Sequence, residues 1–346
     1  MRAAVLRSGE LLVRDDVPEP VPALGQVLVE VKACGICGSD LHFAKHGATM
    51  LALGERMEGL SSLGADEELD LDRDVFLGHE FAAEVLEAGP DTEALPPGTL
   101  VTSLPVLMGM DGVRPIVYSN SVKAGYGERM LLTAPLLLEV PNGLSAEHAA
   151  LTEPMAVGLH AVNRSRIERG EGALVLGCGP VGLAVVAALR VQGIEPIVAA
   201  DFSPARRALA VTMGAHEAVD PREETGFAAW GRAGGGRPLV VFEAVGVPGI
   251  IDEVLRAAPA QSRVVVVGVC METDAINPFF GIAKELNIQF ALGYDPMEFE
   301  ASLRSIAEGE IDVAPMVTGV VGLDGVPDAF AALGDPEEHC KIVVTP

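Results

Sequence analysis

The sequence predicts an α/β protein in two parts: a β-rich first domain, then a domain built on a doubly wound parallel sheet. Three observations carry this. Through about residue 150 the chain shows short alternating strands broken by Gly and Pro. From Glu153 onward, continuous apolar strands alternate with helical segments, the pattern of a parallel sheet covered on both faces. Finally, Leu176-Gly177-Cys178-Gly179-Pro180-Val181-Gly182 follows one such strand and opens a helix. The 346 residues accommodate two domains of roughly 150 residues each.

Met1-Arg-Ala-Ala-Val-Leu reads as a strand, and the Pro-rich stretch after Val17 as a turn into the alternating Val27-Leu-Val-Glu-Val-Lys-Ala. A second alternation begins at Phe81, and Pro96-Pro-Gly-Thr-Leu-Val-Thr turns into a further strand. Many short strands of this kind suggest a partly open β-barrel. A helix from Pro154 to Asn163 leads into the strand at Gly172, the Gly-rich turn, and a helix ending near Gln192. The strand from Pro196 ends at Asp201, and a helix from Ser203 to Met213 precedes Ala218-Val-Asp. Leu239-Val-Val-Phe-Glu, a helix from Ile250 to Ala258 and Arg263-Val-Val-Val-Val-Gly continue the alternation. Beyond Phe290 the expectation is one helix and a terminal strand at Lys341-Ile-Val-Val, with this tail rejoining the first domain. The domains so drawn are 1–155, completed by 291–346, and 156–290.

Acidic residues outnumber basic ones by 49 to 24, a formal charge of −25. Such a field repels phosphate backbones and anionic lipid, which excludes nucleic-acid and membrane partners. Five cysteines in a chain of this length do not form a disulfide framework. The N-terminus lacks the apolar run of a signal peptide, and the apolar segment from Ala173 to Leu189 is interrupted by Gly177, Gly179, Pro180 and Gly182. A cytoplasmic protein is expected.

Glycine spacing alone is weak evidence for a nucleotide, but this motif stands between a strand and a helix, and Asp201 ends the next strand. The glycines let backbone approach a pyrophosphate, which the positive end of the helix attracts. Asp201, about 20 residues on, suits the adenosine ribose hydroxyls and repels a 2′-phosphate, so NAD is favoured over NADP. Arg206 and Arg207 weaken that preference without reversing it.

A second concentration of chemistry lies in Cys34-Gly-Ile-Cys37-Gly-Ser39-Asp40-Leu-His42, Gly78-His79-Glu80 and Thr152-Glu153-Pro154. Thiolate, imidazole and carboxylate together are the donor set of an open zinc site. Each is weak alone: buried thiols are commonly inert, and Glu80 and Glu153 would ordinarily be solvated. Cys34 and Cys37 also form a Cys-x-x-Cys pair, as in a redox dithiol or half of a structural zinc site. No second pair completes such a site, and the pair is not expected to open a helix.

In this order, Gly-Ile-Cys37-Gly-Ser39-Asp40-Leu-His42, Gly78-His79-Glu80, Glu153-Pro-Met-Ala-Val-Gly-Leu-His160 and Gly177-Cys-Gly179-Pro180-Val181-Gly182 resemble the zinc-dependent medium-chain alcohol dehydrogenases. Their polyol and threonine dehydrogenase branch is the most similar. The resemblance runs to Lys284-Glu285-Leu286 and the closing Cys340-Lys341-Ile-Val-Val. It implies a GroES-like catalytic domain and a Rossmann domain, with zinc and NAD acting on a small-molecule alcohol or carbonyl. It implies Cys37 and His79 as zinc ligands, Glu80 or Glu153 as the third, and Asp40 behind an imidazole. Ser39 and His42 would carry the proton, while Cys34 would be structural. The cofactor would lie along Gly177, Gly179, Pro180, Val181 and Gly182. Further contacts would come from Asp201, Phe202 and Arg206, from Ala244 and Val245, and from Gly268 and Val269. A homodimer or homotetramer is the family's usual assembly.

Three departures qualify this. Residues 101–126, where relatives carry four cysteines around a structural zinc, contain none, so one catalytic zinc and no structural zinc is expected. The connection from His42 to His79 is long; it includes an amphipathic helix around Met50, and Met50, Leu51, Leu53 and Met57 are candidates for an apolar flap. A surface loop or an oligomer contact is the alternative. Lastly, Gln289-Phe-Ala-Leu-Gly-Tyr294 lacks the arginine that holds polyol hydroxyls in that branch, and Phe43 suits an apolar pocket. Lipophilic primary or secondary alcohols are therefore expected. The alternatives are a polyol, sugar or amino-alcohol dehydrogenase and a zinc-free enone or quinone reductase.

Overall fold

The computed structural model describes residues 1–55, 69–110 and 112–346. The chain divides into two compact units. The first holds Met1–Glu153, Val317–Asp335 and Lys341–Pro346; the second holds Pro154–Met316 and Pro336–Cys340.

The first unit opens with β1 (Ala3–Arg7), β2 (Glu10–Arg14), β3 (Gln26–Gly35) and helix α1 (Gly38–Glu55). Then come β4 (Val75–Phe76), β5 (Glu80–Ala88), β6 (Leu100–Ser103), the hairpin β7 (Val106–Gly109) and β8 (Gly112–Pro115), β9 (Arg129–Thr133) and β10 (Leu137–Glu139). Helices α2 (Ala146–Ala150) and α3 (Thr152–Ser165) lead out of it. Its main sheet runs β10-β6-β5-β3 and continues into two strands from the end of the chain, with β9 also paired to β3. The alternation read in β3 and β5 has its physical cause in their inward apolar faces, since Val27, Val29, Val31, Phe81, Ala83 and Val85 all belong to one core.

The second unit contains β11 (Gly172–Leu176), α4 (Pro180–Val191), β12 (Ile197–Ala200), α5 (Pro204–Met213), β13 (Glu217–Val219) and α6 (Gly226–Ala233). It continues with β14 (Leu239–Glu243), α7 (Ile250–Ala257), β15 (Arg263–Val266), α8 (Pro278–Lys284), β16 (Asn287–Phe290) and α9 (Pro296–Ala307). The six strands are all parallel and ordered β13-β12-β11-β14-β15-β16, so the order reverses between β11 and β14. Strands β11 and β14 are buried along their whole length, which is why they read as unbroken apolar runs. Ser203 caps α5 by accepting a hydrogen bond from the Arg206 amide, and so fixes that helix start.

The tail departs from the sequence reading. Residues 291–316 remain with the second unit, and the chain returns to the first at Val317. The return brings two strands and a helix, β17 (Val317–Val321), α10 (Val326–Ala332) and β18 (Lys341–Val344), so the tail has two helices where one was expected. Strand β17 escapes a periodicity reading because its residues are half-buried or exposed. It is held by parallel pairing to β18, which in turn pairs antiparallel to β3. A second correction concerns Cys37: α1 begins at Gly38, so the Cys-x-x-Cys pair does end at a helix start. Helix α1 extends through Met50, Leu51 and Leu53 and is kinked at His46. Met57 lies outside the described residues.

Candidate active site

Strand β3, α1 and the start of β5 bring the metal-type donors together. Cys37 Sγ, a His79 ring nitrogen and a Glu80 carboxylate oxygen lie within 4.8 Å of one another. Cys37 follows β3 and its carbonyl accepts from the Asp40 and Leu41 amides, so the turn between strand and helix positions the thiol. His79 follows Gly78, whose φ is +102°. A Cβ there would meet the Tyr126 ring at 2.8 Å and Cys34 Sγ at 3.0 Å, so only glycine fits.

Glu80 opens β5 directly opposite Gly35 on β3. Its carboxylate is fully buried and receives Lys341 Nζ at 2.7 Å on each oxygen. The same ammonium donates to the Ile36 carbonyl at 2.9 Å. Nothing in local sequence announced Lys341 as a member of this site, because 261 residues separate it from Glu80. Glu153, in the first turn of α3, is buried and close enough to His79 to act on its charge.

Asp40 is fully buried in the first turn of α1. Its Oδ2 accepts from Tyr126 Oη at 2.6 Å and from the Cys37 amide at 3.3 Å. Its Oδ1 lies 3.6 Å from His79 Nδ1, and neither of those two atoms has a hydrogen-bond partner. Burial alone pushes the His79 imidazole down, but Asp40, Cys37 and Glu153 more than offset this and hold its pKa well above the ordinary value. The surroundings thus favour positive charge at this point. Soft and hard donors around it, with an imidazole backed by a carboxylate, fit a zinc ion.

Ser39 and His42 lie on one face of α1, three residues apart, with His42 exposed. Burial, and then His46 and Lys45, hold the His42 pKa below its ordinary value, so the ring is neutral at pH 7. Phe43, four residues after Ser39 on the same helix, is buried and stacks on Tyr118, with ring centroids 4.0 Å apart. Phe43 therefore packs in the core of the first unit. Met50 packs on the same core, while Leu53 is exposed. Cys34 is fully buried, and burial followed by Asp40 raises its thiol pKa, so it is no partner for redox exchange with Cys37.

In the second unit the Gly-rich turn leaves β11 at Gly177, where φ is +89°. A Cβ on Gly182 would stand 1.9 Å from the Gly177 carbonyl oxygen, whereas the space over Gly179 is open. Gly179 caps α4 with no side-chain hydrogen bond and Pro180 follows, so the first amides of α4 are available to an anion. Asp201 braces the turn, accepting from the Cys178 amide at 2.7 Å and from the Ser203 amide at 2.8 Å. Phe202 is exposed beside it, and Arg222 lies over its ring. Arg207 and Arg222 are both paired with Asp220, while Arg206 Nε is buried without a partner. Val245 is half-exposed next to Ala244 at the end of β14. Gly268 and Val269 line a cavity of about 270 Å³ with Glu243, Val247 and Phe290. Glu243 was not anticipated; buried at the end of β14, it accepts from the Val245 and Gly246 amides at 2.6 and 2.8 Å and shapes that turn.

A further group of metal-type donors, His160, Asp295 and Glu298, serves the fold. Glu298 completes the capping box of α9 and holds α3, meeting His160 Nδ1 at 2.7 Å and accepting from Asn163 at 2.8 Å.

A metal-type donor set in a β-rich unit and a dinucleotide-type turn in a parallel-sheet unit define the class, a metal- and nicotinamide-dependent oxidoreductase. Residues 23–159 match the family model described as alcohol dehydrogenase GroES-like domain, and residues 180–308 match that described as zinc-binding dehydrogenase. The chain is 31% identical to the (R,R)-butanediol dehydrogenase of Bacillus subtilis (strain 168), with 100% of both chains covered. It is 27% identical to the sorbitol dehydrogenase of the same organism, over 100% of this chain and 97% of that one. Among solved structures it resembles a putative zinc-binding dehydrogenase from Sinorhizobium meliloti 1021 bound to NADP, with a TM-score of 0.83 and 29% identity. That match covers 100% of this chain and 99% of the other. The chain belongs to the zinc-dependent medium-chain alcohol dehydrogenase family, whose members transfer hydride between an alcohol and a nicotinamide dinucleotide. No helix among the described residues is long and apolar enough to cross a membrane.

Proposed function

We propose that this chain is an NAD-dependent dehydrogenase of small secondary alcohols with one catalytic zinc and no structural zinc. The observation that carries the reading is the tight group of Cys37, His79 and Glu80, with Asp40 behind His79. Cys37 and His79 hold the metal, and the third protein ligand comes from Glu80 or Glu153. Zinc supplies Lewis-acid polarisation of the alcohol oxygen. Asp40 fixes the His79 ring by facing its Nδ1, and Tyr126 fixes Asp40. Ser39 and the neutral His42 carry the alcohol proton outward along one face of α1.

The dinucleotide pyrophosphate lies at Gly177, Gly179, Pro180, Val181 and Gly182, with Ala244, Val245, Gly268 and Val269 at the neighbouring strand ends. NAD is favoured because Asp201, just after β12, carries a charge that repels a 2′-phosphate, and Asp220 draws off the charge of Arg207 and Arg222. Arg206 completes the adenosine side. The missing arginine in residues 289–294 disfavours sugar polyols, while similarity to a butanediol dehydrogenase supports a short diol with apolar ends. A homodimer or homotetramer is supported by the edge strand β16, whose last residue Phe290 is exposed, together with exposed Leu292 just beyond it and exposed Ile282 on the preceding α8.

NADH formation across aliphatic, cyclic and aromatic alcohols, butane-2,3-diol and sugar polyols, with and without a zinc chelator, tests this. Chelator-sensitive oxidation of secondary alcohols and the short diol is expected. Turnover confined to sugar polyols would sink the substrate assignment, and chelator-insensitive turnover would sink the zinc.

A further inference from the structure

Glu80 stands between the Cys37 and His79 donors on one side and the Lys341 ammonium on the other. It reaches the Cys37 and His79 donors, and it also accepts Lys341 Nζ on both carboxylate oxygens at 2.7 Å. Three adjacent strands make this arrangement. Central β3 has β5 on one side and β18 on the other, and Gly35 of β3 is opposite Glu80 on β5 and Val343 on β18. Any Cβ at Gly35 would fall 2.1 Å from Glu80 Oε2, so the missing side chain is what lets the carboxylate fold over β3 toward Lys341. Lys341 is held from behind as well, because Ile36 offers its carbonyl to Nζ and donates its own amide to Ile342. Lys341 and Glu80 are 1% and 0% exposed, so water screens neither.

A lysine ammonium and a divalent metal compete for the same carboxylate, and in a buried site they also repel each other strongly. We propose that Lys341 is a positioning residue that holds Glu80 back from standing zinc ligation and so keeps a coordination position open for substrate oxygen. Glu153 then serves as the third standing ligand, and Glu80 as a reserve carboxylate. The assignment rests on the zinc reading above and extends it to the end of the chain. Removing the ammonium leaves a buried carboxylate that the metal can satisfy, so the variant should bind zinc more tightly, the opposite of simple structural damage.

The test is chelator competition for zinc on the full chain, with visible absorption of the cobalt(II)-exchanged protein as a second readout. Lys341→Met is expected to hold zinc about 10-fold more tightly and to shift the cobalt bands as Glu80 enters the coordination shell. Glu80→Gln, which carries the test if Lys341→Met does not fold, is expected to hold zinc within about threefold of the unmodified protein, with unchanged cobalt bands. Unchanged or weaker zinc binding in Lys341→Met, or zinc binding weakened about 100-fold in Glu80→Gln, would overturn the assignment. Neither readout requires turnover, so a protein inactive on every alcohol defeats the proposed function and leaves Lys341 in place. An unmodified protein that binds no zinc defeats both.

Discussion

Tyr126 donates a 2.6 Å hydrogen bond to one oxygen of Asp40, whose other oxygen faces His79 Nδ1 at 3.6 Å. A residue in the loop before β9 thereby sets the orientation of an imidazole near the start of β5. Asp40→Asn should weaken zinc binding about 10- to 100-fold, as loss of a carboxylate behind a ligating histidine does. Tyr126→Phe should cost about 1–3 kcal/mol of stability, because the Asp40 carboxylate stays buried with one donor fewer. Chelator competition and thermal unfolding measure the two effects. Wild-type zinc affinity in Asp40→Asn would remove Asp40 from the site.

The proton path can be read from pH dependence. The folded pKa of His42 lies below its unfolded value, first through burial and then through His46 and Lys45. Its neutral form is therefore present at pH 7, and alcohol oxidation should decline on the acid side, below pH of about 6.5. The stability sign follows: the unfolded chain binds this proton more readily, so folding stability falls as pH drops through the unfolded and then the folded pKa. His42→Gln should lower kcat by about 10²-fold and remove that acid limb. An unaltered pH–rate profile would assign the proton to another group.

Gly182→Ala addresses the cofactor turn. The new Cβ would stand 1.9 Å from the Gly177 carbonyl oxygen, a backbone atom that cannot rotate away. Affinity for the nicotinamide dinucleotide should fall more than about 10-fold, since the glycine serves close packing of helix on strand. Zinc content should not change. Fluorescence titration with NADH and metal analysis together check this, and intact NADH binding would show the turn to be unrelated to cofactor.

Gly35→Ala probes the seat of Glu80. Its Cβ would lie 2.1 Å from Glu80 Oε2, so the carboxylate must leave Lys341 or the strand must shift. Overpacking of this kind costs about 1–3 kcal/mol, visible as a lower Tm. A variant as stable as the parent would show that the strand yields without loss.

Much of the site was legible in sequence because its chemistry is local. Cys37, Ser39, Asp40 and His42 share one strand-to-helix turn, and His79 and Glu80 are adjacent. The parallel sheet was equally legible, since burial on both faces writes β11 and β14 as unbroken apolar runs and leaves the Gly-rich turn to announce α4. The return at Val317 was not, because β17 is half-buried or exposed and takes its conformation from β18. The stacking of Phe43 on Tyr118 was equally hidden, because 75 residues separate the two rings.

By itself, then, the sequence determined the donor set, the dinucleotide turn and the two-part α/β plan, each of which depends on residue type and short spacing. Only the tertiary structure decided that Lys341 meets Glu80, that Tyr126 meets Asp40, and that Gly35 must lack a side chain. Those relationships arise where β5, β3 and β18 lie side by side in one sheet, and pairing between strands 261 residues apart leaves no periodic trace in the chain.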